Sequence, residues 1–232
     1  MEKMIELARG PFFAFSIGVM LLGLLRLVFL QVYGLARGKG GRLRNAPWRK
    51  ILGEAATWAF PFPHFIKGTR LFSSASFIFH IGVIVVPLLL DDHVVLWERL
   101  LGANLPSIGR GVADVLTLTT LVCLLALLAF RMFSARHRAV SQPMDYWLLV
   151  LIILPFGSGF MAAHPAWNPF SWNVVMLTHL LSAEFLFLLV PTTKLAHVVL
   201  FAFDRISEIH WQLRPGAGAR IAEALFGSGA KV

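Results

Sequence analysis

Charged side chains are scarce in this chain, and their scarcity excludes an ordinary soluble domain. They make up 14% of the 232 residues, against 57% for hydrophobic residues, whereas about a quarter of a typical soluble domain is charged. Several nearly uncharged stretches approach or exceed the roughly 20 residues that span a bilayer. The alternating segments of about ten residues that build a membrane barrel do not occur. The sequence therefore predicts an all-α integral membrane protein.

Cysteine is also nearly absent, since Cys123 is the only one. A single cysteine excludes an intrachain disulfide, a cysteine-based zinc site and a cysteine-ligated iron–sulfur cluster. The sequence has no phosphate-binding loop, dinucleotide fingerprint, HExxH zinc motif or Ser–His–Asp set. Any demanding chemistry would therefore belong to a bound cofactor, which the protein positions.

Five apolar stretches predict transmembrane helices at 11–33, 71–97, 112–133, 144–163 and 171–203 of a single domain. The first follows a leader that contains Glu2 and Glu6, so we expect it to remain as a membrane helix and not to be cleaved as a signal peptide. The last would be roughly 50 Å long, at ~1.5 Å per residue, and would protrude from the membrane or tilt strongly.

Basic residues are concentrated in the predicted loop 34–70, the loop after the third helix and the tail 204–232. The first loop alone holds Arg37, Lys39, Arg42, Arg44, Arg49, Lys50, Lys67 and Arg70. The positive-inside rule places these segments in the cytoplasm and the N-terminus outside. The net charge of +9 then reflects basic loops that set the membrane orientation and contact anionic lipid. It does not imply binding to nucleic acid. Docking of a cytoplasmic partner on the basic loop is the alternative.

Four of the eight histidines lie inside predicted helices two and five: His80, His93, His179 and His197. Ionisable groups in hydrocarbon are costly and usually face the bundle interior. The eighteen residues from His179 to His197 make five whole turns, so the two share a face about 27 Å apart along the axis. Antiparallel packing then gives an inner pair, His80 with His197, and an outer pair, His93 with His179.

Two histidine pairs at matching depths on facing helices predict two b haems held between helices two and five. Bis-imidazole ligation of haem iron requires one histidine from each side of the porphyrin. A zinc site would need further ligands, and none converge at either depth. The alternative is four histidines at helix contacts, each hydrogen-bonded to backbone.

The spacing in helix two does not fit an ideal helix. His80 and His93 are thirteen residues apart, which leaves about 220° beyond whole turns and puts them on different faces. Pro87 lies between them, and Pro191 lies between the histidines of helix five. Because proline cannot donate to the helical ladder, we expect two kinks at similar depth, between the haems.

The segment "HLLSAEFLFLLVPTTKLAHVV" resembles the last helix of the gamma subunit of respiratory nitrate reductase, with the same His–His spacing and the Pro-x-x-basic-x-x-His ending. "FHIGVIV" resembles the second-helix haem motif of that subunit, and the likeness covers most of residues 10–205. That family has a shorter spacing between its second-helix histidines. "FHIGVIVVPLLLDDHVVLW" is more similar to the membrane cytochrome subunit of sulfite-reductase-linked and heterodisulfide-reductase-like complexes.

The resemblance implies a dihaem cytochrome b in a bacterial or archaeal cytoplasmic membrane. Such a subunit exchanges electrons between the quinol/quinone pool and a cytoplasmic iron–sulfur subunit with its catalytic subunit. A periplasmic cytochrome c stays open as a further partner. The chain would be the electron-transfer subunit of an oxidoreductase complex, with no catalytic site of its own beyond quinone chemistry.

Charged residues near the histidines supply candidates for the supporting roles. Lys194, three residues before His197 and on the same helical face, and Arg70, before helix two, would bind haem propionates; the alternative is snorkelling to lipid headgroups. Asp91 and Asp92 directly precede His93. Mutual repulsion and burial would make them acceptors of quinol protons; the alternative is a solvated helix end.

His164 and Glu184 are secondary candidates for the quinol site, and the five-residue step from His179 to Glu184 turns Glu184 away from the haem. Arg26 in helix one has no assigned role, and Glu184 is one partner it could have. A cytochrome b of the formate dehydrogenase or hydrogenase type would differ in its soluble subunits. A haem-free proton-conducting transporter or anchor would use the same histidines without iron, although no inverted repeat is visible.

Overall fold

The computed structural model describes residues 1–37, 48–49, 52–53, 70–102, 104–201, 203, 223 and 227. Within these residues the regular structure is helical, apart from one isolated bridge between Leu90 and Ile108. Most of the basic loop and of the C-terminal tail lies outside the described residues, so the orientation stays a prediction.

Nine α-helices follow one another in the described chain, joined in places by short helical turns of other types. They are α1 (Glu2–Leu7), a π-helical turn (Ala8–Phe12), α2 (Phe13–Arg37), α3 (Arg70–Leu89), α4 (Asp91–Leu101), α5 (Arg110–Phe133), α6 (Ala135–Ala139), α7 (Pro143–Ala163), the 3₁₀ turn Pro165–Trp167, α8 (Trp172–Leu189), and the 3₁₀ turns Val190–Thr192 and Lys194–Ala196. The ninth is a short helical stretch at 197–201.

Within the described residues, five helical segments are long and apolar enough to cross a membrane. They are Glu2–Gly34, Arg70–Leu89, Arg110–Phe133, Pro143–Ala163 and Trp172–Thr192. The predicted number of spans is confirmed, and these five apolar segments indicate a multi-pass membrane protein.

Two compact units divide the chain where the sequence predicts one domain. The first comprises Met1–Met20 and Pro63–Leu189, and the second comprises Leu21–Phe62 and Val190–Val232. In the first unit α5 packs against α3 and α7, α7 also packs against α8, and α8 packs against α1 and the π-helical turn. The first unit therefore contains most of the helix packing that positions the outer pair.

A stripe of buried residues explains the central place of α5 in the first unit. Thr117, Thr120, Leu124 and Leu127 are all buried and recur at alternating intervals of three and four residues, which places them on one helical face. The hydroxyl of Thr120 donates to the Leu116 carbonyl at 2.6 Å. The hydroxyl of Thr120 is thus satisfied within the helix, which suits an apolar surrounding.

Predicted helix two is two helices, because the chain turns at Leu90. This residue has extended backbone angles, φ −61° and ψ 132°, and its neighbours pair with the loop that follows α4. Ile108 N donates to the Leu89 carbonyl at 2.7 Å, and Asp91 N donates to the Ile108 carbonyl at 3.3 Å. The predicted kink at Pro87 is wrong in position: Pro87 lies inside α3, and the break comes three residues later.

The turn brings α4 back toward the end of α3. Trp97 Nε1 donates to the Pro87 carbonyl at 2.9 Å, ten residues earlier, although ten residues of continuous helix would separate these positions by about 15 Å. His93 Nδ1 lies 3.1 Å from the Val86 carbonyl oxygen. The last carbonyls of a helix lack partners within it, and here two of them are reached by side chains of the next helix.

The same turn corrects the predicted depth of His93. A continuous helix would place it about 20 Å beyond His80 along the axis. Its ring instead bonds the carbonyl of Val86, six residues or about 9 Å of helical rise beyond His80. His80 and His93 are not on one continuous helix, so their thirteen-residue spacing does not determine the direction of the His93 ring. That direction is set by α4.

Predicted helix five also ends earlier than expected, at Leu189 and not at 203. The 3₁₀ turn Val190–Thr192 follows, and Thr193 has extended angles, φ −125° and ψ −173°, with its side chain accepting from Leu195 N. The interval from His179 to His197 is thus not one α-helix, and the predicted five whole turns are wrong. In the second unit, a Cβ on Gly23 would overlap the ring of Pro191, so glycine permits their close approach.

We expect Gly82→Ala to destabilise the first unit, because a Cβ there would overlap the Thr120 hydroxyl and lie 3.3 Å from the Leu116 carbonyl oxygen. Overpacking of this kind costs about 1–3 kcal/mol. Thermal unfolding of purified protein in detergent measures the change. Gly111→Ala is the matched control, because nothing lies within 4 Å of its added Cβ; equal melting temperatures for the two variants would contradict the packing of α3 on α5.

Candidate functional site

The outer pair of histidines meets in the first unit. The rings of His93, from α4, and His179, from α8, have centroids 5.9 Å apart and planes inclined by 10°. The two residues are 86 positions apart in sequence, and their helices are separated by three others. The structure therefore brings together the two residues that the sequence analysis pairs at the outer depth.

Backbone carbonyls fix the orientation of both rings. His93 Nδ1 lies 3.1 Å from the Val86 carbonyl oxygen, and His179 Nδ1 lies 2.8 Å from the Pro155 carbonyl oxygen of α7. Because a carbonyl only accepts, each Nδ1 carries the proton and each Nε2 keeps its lone pair. This is the arrangement by which proteins orient histidine ligands of a metal.

Glycine allows the His179 ring to lie against α7. A Cβ on Gly159 would be 2.9 Å from both Cε1 and Nδ1 of that ring, a distance that requires a shift of the ring. Gly159 is one turn beyond Pro155, the residue whose carbonyl accepts from the same ring. The sequence analysis did not identify Gly159, and its one signal is "FGSGF" in the middle of an apolar helix.

Burial favours the neutral form of His93, which lies in α4, outside the five spans. Desolvation lowers the pKa of His93 below its usual value, while the hydrogen bond to Val86 and the charge of Asp92 act in the opposite direction. The neutral imidazole is the form that binds a metal. This residue is therefore available as a ligand over the neutral pH range.

The distance between the ring centres of the outer pair equals that of two imidazoles on either side of a metal ion. Two imidazole nitrogens each about 2 Å from a metal, with each ring centre on the order of 1 Å behind its nitrogen, place the centres about 6 Å apart. The separation of 5.9 Å agrees. Among the described residues no group of three or more His, Cys, Asp or Glu side chains converges on one point, so the site consists of two imidazoles.

The inner pair is divided between the two units, so each member is described separately. His80 is half-buried in α3 with Nδ1 2.6 Å from the Ser76 carbonyl oxygen. His197 is exposed, and its Nδ1 lies 2.7 Å from the Lys194 carbonyl oxygen. Both rings are anchored through Nδ1 as in the outer pair, and the pairing of these two residues stays a prediction.

The two aspartates before His93 begin α4. Asp91 and Asp92 occupy its first turn, where negative charge interacts favourably with the helix dipole. Asp92 forms an ion pair with Arg110 of α5 at 3.1 Å, with both side chains more than 60% exposed. The expected burial of these carboxylates is wrong, and their role as quinol proton acceptors stays a prediction.

The cations expected at the haem propionates are exposed. Lys194 and Arg70 both present solvent-accessible side chains, and their propionate role stays a prediction. The sequence analysis missed Arg9, in the π-helical turn. Its guanidinium lies 5.8 Å from the centre of the Trp172 ring and close enough to interact electrostatically with His179. No spacing rule would have linked residue 9 to residue 179.

His164 forms a polar pair with Asp114 and stands apart from the outer pair. Its Nε2 lies 3.2 Å from the Asp114 carboxylate, and its Nδ1 lies 2.9 Å from the Phe160 carbonyl oxygen. The pair joins the end of α7 to the start of α5. Both ring nitrogens of His164 therefore have polar partners, and its role in this structure is to hold α7 and α5 together.

The fold and the site together define a class: a five-span helical membrane protein with two imidazoles facing each other between its helices. The chain is 31% identical over 205 residues to a protein of Nitratidesulfovibrio vulgaris, covering 84% of this chain and 88% of that protein, whose name is simply "Protein". The chain belongs to the family of that protein. No family model matches the sequence, and no solved structure matches it.

We expect Gly159→Ala to disturb the outer pair selectively, because its Cβ would displace the His179 ring from the Pro155 carbonyl. Any group bound between the two histidines should be lost or show a changed absorption spectrum. Gly157→Ala is the matched control on the same helix, since nothing lies within 4 Å of its added Cβ. Identical spectra for the two variants would contradict this placement of His179.

Proposed function

We propose that the chain is a dihaem cytochrome b, the membrane electron-transfer subunit of a respiratory oxidoreductase complex. It passes electrons between the quinol/quinone pool and a cytoplasmic iron–sulfur subunit. The observation that carries the proposal is the outer pair: two nearly parallel imidazoles, 5.9 Å apart, each anchored through Nδ1 to a backbone carbonyl.

The outer pair supports haem in preference to a purely structural contact. Each of the four histidines bonds a backbone carbonyl through Nδ1, as the structural alternative also requires. What favours haem at the outer pair is that two such rings, from different helices, have nearly parallel planes and centroids 5.9 Å apart. A haem bound there would supply one-electron redox chemistry, while the protein supplies ligands, burial and position.

The remaining parts of the proposal rest on the resemblance and on charge. The inner haem would use His80 and His197, with Lys194 and Arg70 at its propionates. The basic loop and tail would face the cytoplasm, where the iron–sulfur subunit docks, and quinol would react at the outer haem near Asp91 and Asp92.

A haem-free proton-conducting protein is the second candidate. The observation in its favour is Glu184, a carboxyl in a membrane span that is 1% exposed. Intramembrane carboxyl and imidazole groups are typical of proton relays. A haem count separates the two candidates, because this alternative contains no iron.

We expect the purified chain to contain two b haems, measured as pyridine haemochrome against protein concentration. His179→Ala should reduce the ratio from two to one by removing an axial ligand of the outer haem, and His197→Ala should do the same for the inner haem. His137→Ala is the control and should keep both, because this ring packs on Phe72 and hydrogen-bonds Ser134.

Each result of the haem count has a distinct meaning. A single haem that is lost in His179→Ala but retained in His197→Ala would refute the inner haem site and support the outer one. Full haem content in His179→Ala would refute the outer site. A chain without haem, after exclusion of loss in detergent, would leave the proton-conducting protein as the better candidate.

A further inference from the structure

Glu184 is the most buried charged residue of the described chain. It lies in α8, within a membrane span, and is 1% exposed. Neither carboxyl oxygen has a hydrogen-bond partner among the described residues. Buried polar groups in proteins are nearly always paired, so an unpaired buried carboxyl calls for a functional explanation.

The surroundings of Glu184 follow from its place on α8. Leu180, one turn earlier on the same face, packs with Ile5 and Ala8 of the first span. Phe187, one turn later, has its ring 6.3 Å from that of Phe13. Glu184 therefore lies on the face of α8 that is turned toward the π-helical turn between Ala8 and Phe13.

This π-helical turn contains Pro11, which has no N–H to donate and so leaves a backbone carbonyl of the preceding turn without its usual partner. π-helical turns are rare and occur frequently at functional sites. The Glu184 carboxyl of α8 therefore faces the π-helical turn of the first span. The remaining neighbours at this depth are apolar.

The charged groups on α7, which packs against α8, form contacts with residues other than Glu184. On α7, Asp145 forms an ion pair with Arg131 at 3.6 Å, and Tyr146 donates to the Arg131 carbonyl. At the end of α7, His164 pairs with Asp114.

The first span carries four charged residues near its start. Glu2, Lys3 and Glu6 are exposed, and Arg9 lies over the Trp172 ring. On α8 itself His179 bonds the Pro155 carbonyl. Among the described residues, none of these groups forms a hydrogen bond or ion pair with Glu184.

The neutral acid is the stable form of such a group. An unpaired carboxylate in an apolar interior is strongly disfavoured and takes up a proton. An oxidised haem carries one more positive charge than a reduced haem. Held by His179, which lies five residues earlier on α8, about 7.5 Å of helical rise and 140° of rotation from Glu184, it would favour the ionised carboxylate through an interaction that the apolar surroundings screen poorly. The two redox states therefore favour opposite protonation states of Glu184.

We propose that Glu184 binds and releases a proton in step with the redox state of the outer haem. Glu184 would hold one proton as a carboxylic acid while a haem held by His93 and His179 is reduced, and would release that proton as the carboxylate when the haem is oxidised. The oxidation of one quinol to quinone supplies two electrons and two protons, so it would supply one electron and one proton in each of two successive cycles. This role rests on the proposed function, since it needs the outer haem.

Infrared difference spectra of the purified holoprotein between its oxidised and reduced states test this role. On reduction we expect a new C=O stretching band of a protonated carboxylic acid, which shifts in D₂O. Glu184→Gln should lose the band. Glu6→Gln, the same change at an exposed position of the first span, should keep it. The midpoint potential of the outer haem should fall with rising pH in the wild type and depend less on pH in Glu184→Gln.

The outcomes distinguish this role from the proposed function. Two haems without a carboxylic acid band, or a band that persists in Glu184→Gln, would overturn the proton role alone. A chain without b haem would overturn both. If Glu184→Gln loses its haems, Glu184→Asp provides the test: a displaced band supports the assignment, and an unchanged band assigns it to another carboxyl group and refutes the proposal.

Discussion

The backbone carbonyls at the end of α3 are the constraint on which the candidate site depends. The last carbonyls of a helix have no partners within it. Here Ile108 N bonds the Leu89 carbonyl, Leu90 N bonds the Val86 carbonyl, and the side chains of Trp97 and His93 bond the carbonyls of Pro87 and Val86. These contacts hold α4 against the end of α3 and place the His93 imidazole opposite His179.

The second half of the site depends on close packing between α7 and α8. The ring of His179 reaches the Pro155 carbonyl of the neighbouring helix, and the absence of a side chain at Gly159 gives the ring its space. Small residues commonly permit such approach between membrane helices. Both imidazoles are thus held by backbone atoms of packed helices, which is a more rigid support than long side chains provide.

Composition predicted the number of candidate membrane spans, because hydrophobic length is a local property. The outer pair was predicted from matching depths on a continuous helix two, whereas the rings meet because the helix breaks at Leu90. The turn at Leu90 could not be predicted in the same way. Its cause is long-range pairing with Ile108, and Pro87, the residue that signals a kink in the sequence, lies within α3. Arg9 and Gly159 were missed for a related reason: their relation to His179 exists only after the helices pack.

The proposed redox site would need groups that keep their protonation state and groups that change it. The outer imidazoles would be of the first kind, because each Nδ1 proton is held by a carbonyl. Glu184 has no such partner among the described residues, and leaving it unpaired costs stability that a hydrophobic residue would retain. The two roles would fall on different faces of α8, since Glu184 lies toward the first span and His179 lies against α7. In the proposed function a proton could then move at Glu184 without disturbing the two imidazoles.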